Sequence, residues 1–302
     1  MMQDMKIGIF TKNRTNPAYV AARLGADRAA ARLGAETLHF VPAKGDDPDG
    51  QAGLIDGALA MRVDAIVLAP VHPTRVDAAI ARINAAGVPL FAFVNPIPGG
   101  RCVSSVGADD YALGLEIARY LFAHLQGRGR VLVVSGPAES VSSIARVRAF
   151  HDAARAYPAI AIVGTCAGEY VREKARASVA EWLATNEGPA GCIAANDVMA
   201  LGAVDALRAA GRRAAVAGVN AIPGAITAIK HGDMLATVDF SAMNMAALAT
   251  ECAVRHLRGE PVPAELLLPA EIVDRANCHL WDLPFEARAI PTLEATLAGR
   301  RA

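Results

Sequence analysis

Residues 192–211 read CIAANDVMALGAVDALRAAG. The first four of these residues form a short apolar run, which is typical of a buried strand. From Val198 onward, apolar residues recur at helical spacing until Gly211 ends the pattern. A buried strand that leads directly into an amphipathic helix is the building unit of parallel sheets covered by helices.

Two polar residues, Asn196 and Asp197, stand at the junction between this strand and this helix. Open α/β sheets bind ligands at the edge where strands end and helices begin. Such side chains also cap helices, so a purely structural role is the alternative. We expect Asp197 to cap the helix and Asn196 to point away from it, toward a ligand.

The same alternation runs along the rest of the chain. Near-continuous apolar strands that alternate with amphipathic helices indicate parallel sheets with helices on both faces. These units are too many for one open sheet, so we predict an α/β fold with two doubly wound, Rossmann-like lobes. The predicted strands are residues 6–10, 37–41, 65–69, 89–94, 130–135, 160–165, 191–195, 214–219 and 235–239. The predicted helices are residues 17–33, 51–61, 75–86, 109–126, 141–156, 172–185, 198–210 and 221–231.

Composition argues against several classes of function. Lys and Arg total 30 and balance 30 Asp and Glu, so no net field attracts nucleic acid or an anionic membrane. No apolar run is long enough to span a bilayer. Because the chain passes from Met1 into the strand at residues 6–10 without a signal peptide, we expect a cytosolic protein or a mature exported one.

Motifs for catalysis, cofactors and metals are also missing. The turn after the first strand lacks GxGxxG, and the sequence holds no P-loop, HExxH or GxSxG motif. The five cysteines show no metal-ligand spacing, so we expect them to be structural. No segment combines a nucleophile with a base. We therefore predict no catalytic residue, no metal and no cofactor.

Polar side chains collect where the predicted strands end. An Asn side chain offers both a donor and an acceptor, which matches a neutral ligand that carries hydroxyl groups. The alternative is that Asn is simply favoured in turns and caps. The Asn residues at these edges are Asn16, Asn95, Asn196 and Asn220.

Two aromatic residues and one arginine join this set. Tyr19 and Tyr170 lie near the same edges, where each can cover a sugar ring or pack into the core. Arg146 lies early on a predicted helix. Exposure to solvent is the ordinary expectation for it, and a ligand contact is the alternative.

Taken in order, these motifs resemble the ribose-type periplasmic solute-binding proteins of ABC importers. Those proteins share the type I periplasmic-binding fold with the effector domains of LacI-like repressors. The resemblance runs from about residue 6 to residue 281. It is carried by residues 6–10 (KIGIF), 16–19 (NPAY), 64–70 (DAIVLAP), 87–89 (GVP), 106–109 (VGAD), 195–203 (ANDVMALGA) and 218–220 (GVN), with Gly114, Arg146 and Phe150.

The resemblance implies two lobes joined by three crossing strands, with the ligand captured in the interlobe cleft by hinge closure. By position, the lobes are residues 1–106 with 241–270 and residues 107–240 with 271–302. The implied ligand contacts are Asn16 and Tyr19 in the first lobe, and Arg146, Tyr170, Asn196 and Asn220 in the second.

The sequence also departs from the ribose pattern. Asn95 and Asn220 stand where ribose binders carry charged residues, and Phe240 beside Asp239 stands where they carry Gln. Ribose itself is therefore not expected, and these four residues are included as candidate contacts. If at least two of Lys12, Arg14 and His72 face the cleft beside Arg146, the site favours an anionic sugar derivative; the alternative is that they are solvated rim residues.

The resemblance favours a monomeric, non-enzymatic solute-binding protein of the periplasm. It would deliver a small sugar, polyol or cyclitol to the membrane permease of an ABC importer. The second candidate function is a ligand-sensing core related to LacI-type regulators. It is disfavoured because no helix-turn-helix precedes the first strand. An enzyme on the same scaffold is the third, because a fold does not fix a function.

Overall fold

The computed structural model describes residues 5–299. Its strands, in chain order, are β1 (Met5–Phe10), β2 (Ala35–Phe40), β3 (Ala65–Leu68), β4 (Leu90–Val94), β5 (Ser104–Gly107), β6 (Arg128–Ser135), β7 (Ala159–Ala167), β8 (Gly191–Ala194), β9 (Ala215–Val219), β10 (Ala236–Asp239), β11 (Glu265–Leu267) and β12 (Glu271–Asp274).

The α-helices, in the same order, are α1 (Pro17–Arg32), α2 (Pro48–Ala60), α3 (Asp77–Ala85), α4 (Asp110–His124), α5 (Val141–Ala154), α6 (Arg172–Thr185), α7 (Asp197–Ala209), α8 (Pro223–His231), α9 (Ala242–Leu257) and α10 (Leu293–Gly299). Every helix and strand predicted from the sequence is present, with ends that move by a few residues.

The chain divides into two compact units. Unit 1 holds the described residues 5–108, 241–268 and 285–299, and unit 2 holds residues 109–240 and 269–284. Unit 1 contains one six-stranded sheet in the order β11-β5-β4-β3-β1-β2, in which every pairing is parallel. Parallel pairing places the carboxyl ends of β1, β3 and β4 at one edge.

Unit 2 repeats this plan with a sheet in the order β12-β10-β9-β8-β6-β7. Its strands are parallel except for β12, which pairs antiparallel with β10. The strand residues of β8 are fully buried, as are most of those in β9. The prediction of an α/β fold with two doubly wound sheets is confirmed.

Helix α9 is an element that the sequence-based assignment missed. Its residues are buried along most of its length, and the buried set includes the polar Thr250 and Glu251. It also begins at Ser241, which has a left-handed backbone and gives no side-chain cap. Gly25 in α1 allows the two helices to approach closely, because a Cβ there would lie 2.3 Å from the Met243 carbonyl oxygen.

The carboxyl-terminal segment corrects the predicted lobe assignment. Residues 285–299 lie in unit 1, whereas the sequence assigned everything from residue 271 onward to the second lobe. Hydrogen bonds explain the placement. Arg28 donates to the Arg288 carbonyl oxygen at 2.6 Å, and the Leu293 amide donates to the buried Glu251 carboxylate at 3.0 Å. Arg32 forms an ion pair with the same Glu251 at 2.9 Å.

The described residues hold no membrane-spanning helix and no cluster of metal-ligating side chains, and their cysteines are unpaired. Within residues 5–299, no helix has the length and apolar character needed to cross a bilayer. The same range holds no cluster of three His, Cys, Asp or Glu side chains arranged for a metal ion. All five cysteines are free, and four of them are buried.

Candidate functional site

Arg146 is the central charged residue at the carboxyl edge of the unit 2 sheet. It is only 3% exposed, which contradicts the ordinary expectation of a solvated arginine. Its Nε and Nη2 atoms lie 2.8 and 2.6 Å from Asp110 Oδ1, and Nη1 donates to the Ala195 carbonyl oxygen at 2.8 Å. The guanidinium also lies over the Phe240 ring, 4.8 Å from its centre. These contacts fix the plane of the guanidinium at the strand edge.

Close helix packing makes this placement possible. A Cβ on Gly114 of α4 would lie 2.7 Å from the Ala149 Cβ and 3.0 Å from the Arg146 Cα atom of α5. The bare Gly114 therefore lets α5 approach α4 until Arg146 reaches Asp110, the first residue of α4.

The structure reverses the expected roles of Asn196 and Asp197. Asn196 is the cap of α7, and its Oδ1 accepts the Met199 amide proton at 3.0 Å. Asp197 is the first helical residue and is fully buried. Its Oδ1 accepts from the Thr237 hydroxyl at 2.7 Å, and its Oδ2 accepts from the Ile222 amide at 3.0 Å. The Asn196 side-chain oxygen is therefore engaged in the helix cap, and Asp197 points into the protein.

A glycine in the neighbouring strand makes room for the Asp197 carboxyl group. A Cβ on Gly218 in β9 would lie 2.3 Å from Asp197 Oδ1, so any other residue would displace the carboxyl group. Burial raises the pKa of Asp197 to about 7, because removal from water disfavours the charged form. The two hydrogen bonds and the charge of Arg146 lower this pKa, whereas the charge of Asp239 raises it.

Asn220 follows β9 and occupies a strained turn. Its φ is +122° and that of Ala221 is +49°, and each such conformation costs about 1–3 kcal/mol outside glycine. Among the described residues, Asn220 Oδ1 is buried and accepts no hydrogen bond. A buried acceptor without a donor is costly, so this atom is suited to a ligand that supplies a hydroxyl or amino proton.

Tyr170 follows β7 in another left-handed conformation, with φ of +60°. Its hydroxyl lies 3.0 Å from Ser140 Oγ, and its amide donates to Met199 Sδ at 3.2 Å. The ring packs on Gly136, where a Cβ would lie 2.6 Å from ring atoms. Tyr170 is thus held by its own unit and partly joins the core of unit 2.

Asp239 ends β10, and its Oδ2 accepts the indole proton of Trp281 at 3.0 Å. Sequence reasoning missed Trp281 as a site component because it follows β12, far along the chain from Asp239. It also missed Asp110, Thr237 and Ser140. Single polar residues beside helix starts carry no signal that distinguishes a partner of a buried charge from a cap.

In unit 1, the carboxyl edge brings Lys12 and Asn95 together. Lys12 Nζ donates to Asn95 Oδ1, and both side chains are buried. The expectation that Lys12 is a solvated rim residue is therefore wrong. Asn95 is presented by a three-residue turn centred on Val94, whose φ is +69° and whose flanking residues bond at 2.8 Å. Burial raises the pKa of nearby Asp46, and the charge of Lys12 opposes that rise.

The remaining unit 1 candidates lie around the first loop and the turn after β3. Asn16 caps α1 by accepting the Ala18 amide proton at 3.0 Å, and Tyr19 lies in the first turn of that helix. Arg23, which sequence reasoning missed, donates to Thr11 Oγ1 at 2.8 Å and so ties α1 to the loop after β1.

His72 has a local structural role. Its Nδ1 accepts two backbone amide protons, from Thr74 at 3.1 Å and from Arg75 at 3.0 Å. These two bonds engage Nδ1 in the turn that follows β3.

Each unit thus presents a carboxyl edge lined by amides and one buried cation, a set suited to hydrogen bonding rather than to covalent chemistry. The profile of the periplasmic binding protein domain matches residues 7–261. The chain belongs to this family. Its members are periplasmic solute-binding proteins, which confirms the expectation of a binding protein rather than an enzyme.

Individual members agree with this family membership. The chain is 28% identical to the xylitol-binding protein of Mycolicibacterium smegmatis over 64% of its own length, and this match spans only 56% of that protein. It is 27% identical to a D-apiose import binding protein of Paraburkholderia graminis, over 92% of this chain and 89% of that one. An ABC transporter periplasmic solute-binding protein of Actinobacillus succinogenes with bound D-allose superposes with a TM-score of 0.87 at 26% identity, covering 91% of this chain and 99% of that one.

Proposed function

We propose that this protein is the solute-binding component of an ABC importer and binds a small neutral sugar, polyol or cyclitol. The observation that carries the proposal is the buried, unpartnered Oδ1 atom of Asn220. It needs a proton donor, which every ligand hydroxyl supplies and an ionised carboxylate does not. In the same unit, the Arg146 guanidinium lies over the Phe240 ring, and together they offer donors and an apolar face, the combination that a polyhydroxylated ring requires.

The relatives support the same class of ligand. Xylitol, D-apiose and D-allose are named for three of them, and all three are neutral polyhydroxylated compounds. We propose that the present chain binds a ligand of this class in the periplasm and delivers it to a membrane permease. Action as a monomer and capture by hinge closure stay predictions, and light scattering with and without ligand tests the first of these.

The candidate contacts fall into two groups. In unit 2, we propose the guanidinium of Arg146, the amide nitrogen of Asn196 and the Oδ1 atom of Asn220 as hydrogen-bonding groups. Phe240 supplies an apolar face and Tyr170 an aromatic edge. Asp239 remains a candidate contact through Oδ1, because its Oδ2 accepts the Trp281 indole proton.

In unit 1, we propose Lys12 and Asn95 as a joined pair, with Asn16 and Tyr19 at the start of α1. Because Asn16 Oδ1 is used in the helix cap, its amide nitrogen is the group available for a ligand.

An anionic sugar derivative is the second candidate. The observation that favours it is the burial of Lys12, since a buried ammonium group strengthens the binding of a negative charge. The bond from Lys12 to the neutral Asn95 rather than to a carboxylate is consistent with this reading. Arg146 gives it no support, because Asp110 already neutralises that charge.

A thermal-shift and calorimetry panel tests the proposal. The neutral arm contains xylitol, D-apiose, D-allose and myo-inositol, and the acidic arm contains D-gluconate and D-galacturonate. A ligand present at a hundred times its Kd stabilises the protein by about 2.7 kcal/mol, which a melting curve resolves easily. Binding in the neutral arm supports the proposal, binding only in the acidic arm selects the second candidate, and binding in neither arm refutes both.

A pair of variants then assigns the site. Asn220→Ala removes the unpartnered acceptor and is expected to weaken binding of the neutral ligand by about 1–3 kcal/mol. Asn186→Ala is the matched control in the same unit, because Asn186 ends α6 and its amide bonds to the Trp182 carbonyl oxygen. Equal effects of the two changes would show that Asn220 does not contact the ligand.

A further inference from the structure

The turn at residues 220–222 is held at every backbone amide. The Asn220 amide donates to the Val238 carbonyl oxygen at 2.9 Å, and the Ala221 amide donates to the Thr237 hydroxyl at 3.3 Å. The Ile222 amide donates to Asp197 Oδ2 at 3.0 Å. Two of these three acceptors are side chains, so the turn depends on more than the sheet ladder.

The two side-chain acceptors are themselves linked. The Thr237 hydroxyl accepts from Ala221 and donates its own proton to Asp197 Oδ1 at 2.7 Å. Asp197 therefore contacts one end of the turn directly and the middle of it through Thr237. A hydroxyl that must accept at one side and donate at the other has its direction fixed by the carboxyl group.

Holding the Asp197 carboxyl group in this place costs free energy and requires particular neighbours. Asp197 is fully buried, no ion pair to it is present among the described residues, and Gly218 is required to make room for it. The backbone it supports is also costly, because Asn220 and Ala221 both have positive φ. A helix cap does not account for the carboxyl group, since Asn196 already caps α7.

We propose that Asp197 is a positioning residue for ligand binding, which holds the turn at residues 220–222, with positive φ at Asn220 and Ala221, and so presents the Asn220 amide at the sheet edge. This inference deepens the proposed function and rests on it for the ligand, whereas the control of the turn stands on its own. Asp197 acts through the backbone, so it needs no contact with the ligand.

The pKa of Asp197 gives a measurable signature of its hydrogen bonds to Thr237 and to the Ile222 amide. The charged groups that act on Asp197 are Arg146 from α5, which favours its ionised form, and Asp239 from β10, which disfavours it. Burial is the largest effect and raises the pKa of Asp197 toward neutrality. A change in its protonation alters the acceptor strength of the oxygen that meets the Ile222 amide, so that amide reports on the carboxyl group.

A ligand-free NMR experiment tests control of the turn. The amide resonances of Asn220, Ala221 and Ile222 are followed from pH 5 to pH 9 in the wild type and in Asp197→Asn. The wild-type Ile222 resonance is expected to titrate near neutral pH, and Asp197→Asn is expected to abolish this titration and to speed hydrogen exchange at Ile222 at least tenfold. Asp205→Asn is the matched control on the same helix, since Asp205 pairs with the exposed Arg172.

Unchanged turn resonances and exchange rates in Asp197→Asn would overturn the inference. If that variant does not fold, Thr237→Val and Thr237→Ser replace it. The valine removes the bridging hydroxyl and is expected to disturb the turn, whereas the serine keeps the hydroxyl and is expected to restore it. Equal behaviour of the two would overturn the inference as well.

A double-mutant cycle tests the consequence for binding, with D-allose and xylitol as probes. Asn220→Ala and Asp197→Asn are each expected to raise the Kd at least about fivefold, and the double variant is expected to bind no more weakly than Asn220→Ala alone. Fully additive effects would overturn the positioning role. If the wild type binds none of the neutral compounds, the proposed function fails, and the NMR experiment still decides whether Asp197 holds the turn.

Discussion

The buried pair between Arg146 and Asp110 makes a quantitative prediction about stability. The change Arg146→Met keeps much of the side-chain volume but removes three hydrogen-bonding contacts, two of them to a carboxylate that is only 9% exposed. Removal of one partner from a buried pair leaves an uncompensated charge and costs about 3–5 kcal/mol. The position of Asp110 at the start of α4 relieves part of that charge, so we expect a loss near 3 kcal/mol.

The same unit supplies an exposed control of similar geometry. Arg172 Nε lies 2.7 Å from Asp205 Oδ2 and Arg172 Nη2 lies 3.0 Å from Asp205 Oδ1, but its side chain is 45% exposed. An exposed pair contributes about 0–1 kcal/mol, so Arg172→Met is expected to be nearly neutral. The two arginines thus separate the effect of burial from the effect of pairing.

Urea unfolding followed by tryptophan fluorescence is the appropriate assay. The two tryptophans, Trp182 and Trp281, both lie in unit 2, so their emission reports the unit that holds both arginines. The double variant with Arg146→Met and Asp110→Asn lacks the unpaired buried carboxylate charge and is expected to recover part of the lost stability. Equal losses from Arg146→Met and Arg172→Met would refute the account of Arg146 as a member of a buried pair.

Three further changes have defined outcomes. Burial raises the pKa of Asp197 to about 7, from about 4 in an unfolded chain, so its contribution to stability is complete below about pH 4 and is lost as the pH rises through 7. In urea unfolding between pH 4 and pH 8, Asp197→Asn should reduce the fall in the free energy of unfolding by up to about 4 kcal/mol. An unchanged dependence of that free energy on pH would contradict this account. Asn196→Ala should cost about 1 kcal/mol by removing the α7 cap, and Asn196→Ser should recover most of it in the same assay. Gly25→Ala should lower the melting temperature, because the added methyl group meets the Met243 carbonyl oxygen. Gly53→Ala, at a position in α2 with open space, should raise the melting temperature slightly. If calorimetry gives Gly25→Ala the higher melting temperature of the two, α1 and α9 are not so closely packed.

The periodic features of the fold were predictable from the sequence. Strands such as β8 and helices such as α7 alternate in the order that parallel sheets require, and each ends at a residue that breaks its pattern. Helix α9 was not predicted, and no side-chain cap marks its start after Ser241. The place of residues 285–299 escaped because it is set by hydrogen bonds between segments far apart in the chain, such as that from Leu293 to Glu251.

The site was predictable as a set of residues but not as a set of contacts. Sequence placed Asn196 and Asp197 correctly at the strand edge but gave the capping role to Asp197, whereas Asn196 caps α7 and Asp197 is buried. The outcome depends on Gly218, which lies in another strand and opens the space that the Asp197 carboxyl group occupies. Burial of Arg146 likewise depends on Gly114 in a different helix. Neither glycine carries a local signal of its effect on a distant side chain.

The interleaved connectivity also sets an order of completion during protein synthesis. Every segment of unit 2, including β12, has been translated once residue 284 is made. Unit 1 begins first but finishes second, because it still awaits residues 285–299, which bond to Arg28 and Glu251. At residue 284 a nascent chain therefore holds every strand of both sheets, whereas unit 1 still lacks the segment that bonds to Arg28 and Glu251.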